Sequence, residues 1–189
     1  AFDFIRQHPK CYVMIGAFTN FFDNLDHQYL KQQWCSLLQV SQLPADHYAV
    51  FKNITKYSKW ELDDLLELNG LGKSDADIRK LNQKPTVLTK EQYKTNRKHI
   101  VKNTQSYGIP QGSPISAALA NIYMLDADKI ICEKVKQYGG FYMRYSDDFM
   151  IVLPEQEDYK IFEEVIEIIK AVPNLTLENK KTQFFKVES

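Results

Sequence analysis

At 189 residues, with 44% apolar and 13% aromatic side chains, the chain is long enough to bury a core and too apolar to be a disordered tail. Its 24 Lys and Arg balance 24 Asp and Glu, and a net charge of +0 excludes a protein that holds nucleic acid by bulk electrostatics alone. No apolar run approaches the roughly 20 residues that span a bilayer, and Ala1 to Pro9 lacks the charged and then apolar pattern of an export signal, so neither a membrane partner nor secretion is expected.

Cys11, Cys35 and Cys132 are odd in number and scattered, which reads as reduced thiols in a cytoplasmic protein. Tyr12 to Phe18 is an apolar run with the length of a buried strand. Leu30, Trp34, Leu37 and Leu38 then repeat at helical spacing behind Asp26 as N-cap. Pro44 opens a helix with Tyr48, Phe51 and Ile54 on one face, and Leu62 to Leu68 gives a shorter one closed by Gly70. Asn69 to Lys102 is polar and poorly periodic, an irregular stretch with short helical pieces. Between Lys73 and Lys102 nine basic residues face only Asp75, Asp77 and Glu91. This composition fits either a solvated insertion or a surface for phosphates, with Tyr93 and His99 available for stacking.

A sharp turn, Gly108 to Pro114, precedes Ile115, Ala118, Leu119, Ile122 and Leu125, the stripe of a long helix that Gly139 and Gly140 end. Two short strands, Phe141 to Tyr145 and Met150 to Leu153, flank Asp147 and Asp148. A helix from about Glu157 to Lys170 follows, with Phe162, Val165, Ile166 and Ile169 inward and Glu163, Glu164 and Glu167 in water. Leu175 to Leu177 and Phe184 to Val187 read as closing strands. The order predicts an α+β fold, an antiparallel sheet packed on one face by helices, with a helical and irregular basic insertion over 41–104.

Three distant segments share one chemistry. Adjacent carboxylates at Asp147 and Asp148, between apolar strands and flanked by Tyr145 and Phe149, are costly to bury unless cations neutralise them. They are the hard oxygen ligands that Mg²⁺ or Mn²⁺ prefers, although a solvated acidic turn has the same sequence. Gly108 and Gly112 permit close backbone approach, Gln111 is a two-way hydrogen-bonding amide, and Lys181 is a mobile cation. Together they suit phosphoryl transfer.

Four ordered motifs resemble those of reverse transcriptases. Tyr145-Ser-Asp-Asp148 is similar to their Tyr-x-Asp-Asp hairpin, and Gly108 to Met124 resembles their loop and helix for nucleotide and template. Asn20 to His27 resembles the segment after the first palm strand, and Leu175 to Thr182 the later segment that carries a lysine. The phrasing is closer to the bacterial group II intron, retron and phage-defence branches than to the retroviral one. The resemblance implies a polymerase palm for RNA-directed DNA synthesis, with RNA template, DNA or RNA primer and dNTPs as partners, and a cognate RNA or partner protein besides. It implies Asp147 and Asp148 as metal ligands, with the Phe18 carbonyl, and Lys181 as the cation for pyrophosphate. Phe18, Asn20 and Phe21 would approach the triphosphate through their backbones, and Gln111, Gly112 and Tyr145 would line the substrate. Phe22 would be the aromatic gate against a 2′-hydroxyl. Phe22 also reads as a core aromatic, and Lys181 as a solvated turn lysine. Arg144 is expected to pair with an acidic neighbour and has no catalytic role.

One position departs from the pattern. Where the family's Asp-x-x-x-Phe-Phe places a metal-bridging aspartate, this chain has Ala17-Phe-Thr-Asn-Phe-Phe22. Asp23 and Asp26 lie beyond Phe22 and are expected to point away. The chain as written is therefore expected to be inactive or nearly so, an Asp→Ala form of an active enzyme, or else a non-catalytic palm that binds nucleic acid or acts as a scaffold. Protein-primed or untemplated DNA synthesis also fits these motifs. With some ten residues before the first strand and an end at Ser189, the chain reads as a palm without most of its fingers and thumb.

Overall fold

The structure is a computed structural model and describes residues 1–155 and 160–188. In chain order the elements are α1 (Phe2–Gln7), β1 (Lys10–Ala17), α2 (Phe21–Asn24), α3 (His27–Leu38), α4 (Ala45–Thr55), β2 (Ser58–Trp60), α5 (Leu62–Leu68), α6 (Asp75–Asn82) and α7 (Lys90–Thr95). After a 3₁₀ turn at Arg97–His99 come β3 (Ile100–Lys102), α8 (Pro114–Gln137), β4 (Phe141–Tyr145), β5 (Asp148–Pro154), α9 (Lys160–Lys170) and β6 (Gln183–Glu188). The expected start of the last helix near Glu157 lies outside the described residues. Two compact units result, one from Ala1–Thr55 with Gln105–Ser189 and one from Lys56–Thr104. Residues 41–55, which include α4, cluster with the first unit and not with the insertion.

The first unit is α+β: an antiparallel sheet of order β4-β5-β1-β6 with helices packed on it. Alternation along β1 sends Met14 toward the helices and Cys11 and Val13 to the opposite face. Leu30 and Trp34 of α3, Leu119, Tyr123 and Ile131 of α8 and Phe162 and Val165 of α9 meet Met14, Phe149, Ile151 and Leu153 in one core. Each such side chain, fully buried, contributes about 1.5–3 kcal/mol. Asp26 caps α3 by accepting from the Tyr29 N–H at 2.7 Å, as its position before the apolar repeat predicts.

Several expectations change, among them the second hairpin strand, which starts at Asp148 and not at Met150. The short helix α1 was not anticipated; its Phe4 and Ile5 cover Cys11, Val13 and Val152 on the second face of the sheet. The stripe of α8 is turned, since Ala118 and Leu125 are exposed while Ser116, Tyr123, Met124 and Ala127 are buried. Over its 24 residues α8 meets α3, β4 and α9, so no single stripe describes it. Leu175 to Leu177 forms one isolated bridge, Phe18 with Leu177, because the turn Glu178–Thr182 intervenes before β6 begins pairing with Ile15.

Tyr123 links distant segments. Its hydroxyl donates to the Pro173 carbonyl and accepts the Asp26 N–H at 3.2 Å, and burial pushes its pKa up. Tyr123→Phe keeps the buried ring but strands both partners, and is expected to lower stability by about 1–2 kcal/mol, read as a shifted urea midpoint at unchanged slope.

The second unit pairs β2 with β3, Trp60 opposite Ile100, and buries Leu66 and Leu81. Its polar segment is ordered by side-chain bonds to backbone. Asn69 donates to the carbonyls of Leu65 and Val87, Gln92 to that of Leu68, and Thr89 with Gln92 forms a capping box on α7.

Candidate active site

The carboxylate pair sits where β4 turns into β5. Tyr145 pairs with Asp148, leaving Ser146 and Asp147 as a two-residue connection, and Ser146 takes φ 57°. Such a φ at the first turn position matches the strand twist but costs about 1–2 kcal/mol for a non-glycine residue. The neighbouring structure holds it. The Arg144 side chain, only 4% exposed, donates from Nη1 to the Ser146 carbonyl at 2.7 Å. Its Nε and Nη2 grip Asp128 of α8 at 3.0 and 2.6 Å, and Nη2 also reaches Asn121 Oδ1 at 3.1 Å. Tyr142 completes the cluster by donating to Asp128 Oδ1 at 2.6 Å. Burial, and then the Asp128 charge, holds the Tyr142 phenol protonated far above the usual range. Asp128 is thus the acidic neighbour that Arg144 required. The spacing of Asn121 and Asp128, seven apart on one face of a helix, was the available signal.

Position 17 lies directly beside this turn. Ala17 pairs with Asp148 across the sheet, and the Phe18 N–H donates to the Asp147 carbonyl at 2.9 Å. Ala17 is 1% exposed, whereas Asp147 is half-buried and Asp148 exposed. Gly16 precedes it because the Phe149 ring occupies the place of a side chain: a Cβ there would meet Phe149 Cζ at 2.4 Å.

The later lysine segment reaches the same strand end. The Thr19 N–H donates to the Thr176 carbonyl, and the Glu178 N–H donates to the Ala17 carbonyl at 2.8 Å. The Thr19 hydroxyl donates to Glu178 Oε2 at 3.2 Å. Lys181 follows in an exposed turn whose N–H bonds the Glu178 carbonyl at 3.0 Å. Glu178 is a further residue at this strand end, and nothing in its local sequence sets it apart.

Phe18 and Phe21 are buried, stacked toward Phe149 and edge-on to Tyr123, so their side chains serve the core. Asn20 turns the chain at φ 47°, and Phe22 is half-buried. The glycine loop is tied to this segment by four bonds: Ile109 N–H to Phe22 O, Gly108 N–H to Leu25 O, His27 N–H to Ser106 O, and His27 Nε2 with Gly108 O at 2.7 Å. Gln111 and Gly112 come next, both exposed. The two glycines differ in kind. At Gly108, φ is 87° and a Cβ would lie 2.9 Å from the Asp23 carbonyl; at Gly112, φ is 83° in open space. Gly108→Ala is expected to cost about 2–3 kcal/mol and Gly112→Ala about 1 kcal/mol, compared by chemical denaturation.

Mg²⁺ commonly takes one or two protein carboxylates and completes its shell with water and substrate phosphates. Asp147 and Asp148 offer two carboxylates of this kind, one half-buried and one exposed. They do not furnish a two-metal centre, because Ala17 presents a methyl group, and among the described residues no group of three or more His, Cys, Asp or Glu is placed to hold a metal ion. Asp26 is engaged as the cap of α3. No helix among the described residues is long and apolar enough to cross a membrane.

Comparison with the curated proteins finds no match. The fold is similar to that of apo telomerase from Candida tropicalis truncated from its C-terminal domain, at TM-score 0.54 and 14% identity over 99% of this chain and 33% of that one. Telomerase from the same organism in complex with a TWJ fragment of telomeric RNA gives TM-score 0.54 at 18% identity, over 99% of this chain and 28% of that one. The chain therefore spans a third or less of the length of these structures. Residues 72–189 match the family described as reverse transcriptase (RNA-dependent DNA polymerase), a match that includes the glycine loop, the acidic hairpin and the lysine segment and begins after Ala17. With more than half of its residues in that match, the chain belongs to the reverse transcriptase family.

Proposed function

We propose that this chain is the palm of an RNA-directed DNA polymerase that joins dNTPs to a primer 3′-hydroxyl, and that Ala17 silences it. The register that sets Ala17 opposite Asp148, with Phe18 bonded to Asp147, carries this reading: a carboxylate at position 17 would complete a cluster with the hairpin pair. Bound divalent metal, Mg²⁺ or Mn²⁺, supplies activation of the attacking oxygen and charge neutralisation at the leaving phosphate. Asp147 and Asp148 would hold it. Phe22, whose carbonyl accepts from the Ile109 N–H of the glycine loop, would exclude a 2′-hydroxyl, and Gln111 would contact the incoming nucleotide. Lys181, beside the end of β1, would neutralise pyrophosphate. An apolar cleft of about 170 Å³ at Ile15, Met143, Tyr145 and Met150, next to Asp148, offers a dry surface for the primer end.

The test introduces Ala17→Asp into the full-length protein and assays extension of oligo(dT) on poly(rA) beside the form with Ala17. Extension by the restored form alone supports the reading. Silence from both, together with nucleic-acid binding indifferent to Asp147→Asn, favours a palm that only binds.

A further inference from the structure

We infer that the second unit, Lys56–Thr104, carries its own docking site for a single strand of nucleic acid, centred on Tyr93 and Arg97 and independent of the hairpin carboxylates. Three cations elsewhere in this unit are matched by carboxylates, Lys59 by Glu61, Lys73 by Asp63 and Lys80 by Asp77, and Lys84 donates to Asn69 Oδ1. Lys90, Lys94, Arg97 and Lys98 have no such partner; among the described residues no carboxylate lies within ion-pairing distance of them. From Lys84 to Lys102 the only acid is Glu91. An array of like charges that the fold leaves uncompensated is complementary to a polyanion.

The array is built around rings. Lys90, Tyr93, Lys94 and Arg97 recur at helical spacing along α7 and the turn after it, and with Leu88 and Thr89 they line a groove of about 340 Å³. Arg97 lies over the Tyr93 ring at 5.5 Å, Tyr93 is 6.2 Å from Trp60, and Trp60 stacks on His99 with an interplanar angle of 12°. Tyr93 remains 42% exposed. A partly open ring with a guanidinium over it is a stacking platform for an unpaired base, and lysines at its rim take the flanking phosphates. A duplex hides its base faces and an acidic peptide has none, so the ring selects the single strand.

Fluorescence anisotropy of the chain in EDTA, with labelled oligouridine, oligothymidine, a mixed duplex and oligoglutamate as probes, tests this. Single strands are expected to bind with Kd of about 10⁻⁶–10⁻⁴ M at physiological salt, and with a log–log salt slope of about −2 for three phosphate contacts. The two oligomers separate RNA from DNA as the preferred strand. Tyr93→Ala is expected to weaken binding about 5- to 150-fold while Tyr93→Phe does not. Lys94→Glu with Arg97→Glu, both at exposed positions, abolishes binding, and Lys73→Ala, whose ammonium is committed to Asp63, leaves it unchanged. Equal binding of duplex, stronger binding of oligoglutamate, indifference to the Tyr93 and Lys94/Arg97 changes, or no saturation by about 100 µM overturns the inference. Because the assay contains no metal, its failure is distinct from failure of the polymerase reading, which primer extension alone decides.

Discussion

Ala17→Asp is expected to have opposite effects on stability with and without metal, and to raise primer extension by a factor of about a thousand or more. Position 17 is 1% exposed and faces Asp148. A carboxylate buried there beside a second one costs about 1–3 kcal/mol when no cation is present. For a chain of this size that is a fall in Tm of roughly 2–12 °C in EDTA. Mg²⁺ or Mn²⁺ should reverse the fall in the variant and leave the Ala17 chain nearly unmoved, because two carboxylates on one turn hold an ion weakly without nucleotide phosphates. The rate gain corresponds to the several kcal/mol that charge stabilisation by metal gives a phosphoryl transfer. Thermal unfolding with and without metal reads the first effect on the 189-residue chain itself. If the variant shows no metal-dependent gain in Tm, position 17 does not complete a metal site, and the proposed cause of silence is wrong.

The second large effect is expected at Arg144, a positioning residue that touches no substrate in this reading. Arg144→Ala removes the grip on Asp128, the bond to Asn121 and the bond that holds the Ser146 carbonyl in its positive-φ turn. Asp128, with a side chain 26% exposed, keeps only the Tyr142 hydroxyl. Breaking a buried pair on one side costs about 3 kcal/mol or more, a fall in Tm of roughly 6–12 °C. Arg144→Lys retains the charge without the fork and should fall between. Asp128→Asn strands a buried guanidinium and should cost as much as Arg144→Ala. In the Ala17→Asp background, loosening of the turn should lower kcat more than KM, since Asp147 is the residue the turn carries. A loss below about 1 kcal/mol for Arg144→Ala would mean the network is solvated and decorative.

The local signals in the sequence translated directly into structure. The cap at Asp26, the helix Leu62–Leu68 and the hairpin between Phe141 and Leu153 each depend on residues within a few positions of one another, although the hairpin's connection is Ser146-Asp147 and Asp148 already belongs to its second strand. Backbone propensity, capping and turn chemistry act at that range, so a single sequence displays them. The motif residues were legible for the same reason, as was the alanine at position 17.

Tertiary structure decided the remainder. Six residues of α1 carry too little pattern to announce a helix, and only the second face of the sheet gives Phe4 and Ile5 somewhere to go. Which side of α8 is buried depends on three neighbours from distant parts of the chain, so Leu125 is exposed and Ser116 buried against expectation. That Ala17 faces Asp148, that Glu178 bonds the Ala17 carbonyl, and that Arg144 finds Asp128 are matters of register and packing across long sequence separations. By itself the sequence determined the local elements and displayed the motif residues. Only strand pairing and helix packing determined which of those residues meet, because long-range contacts are fixed by the burial of the whole core and not by any local pattern.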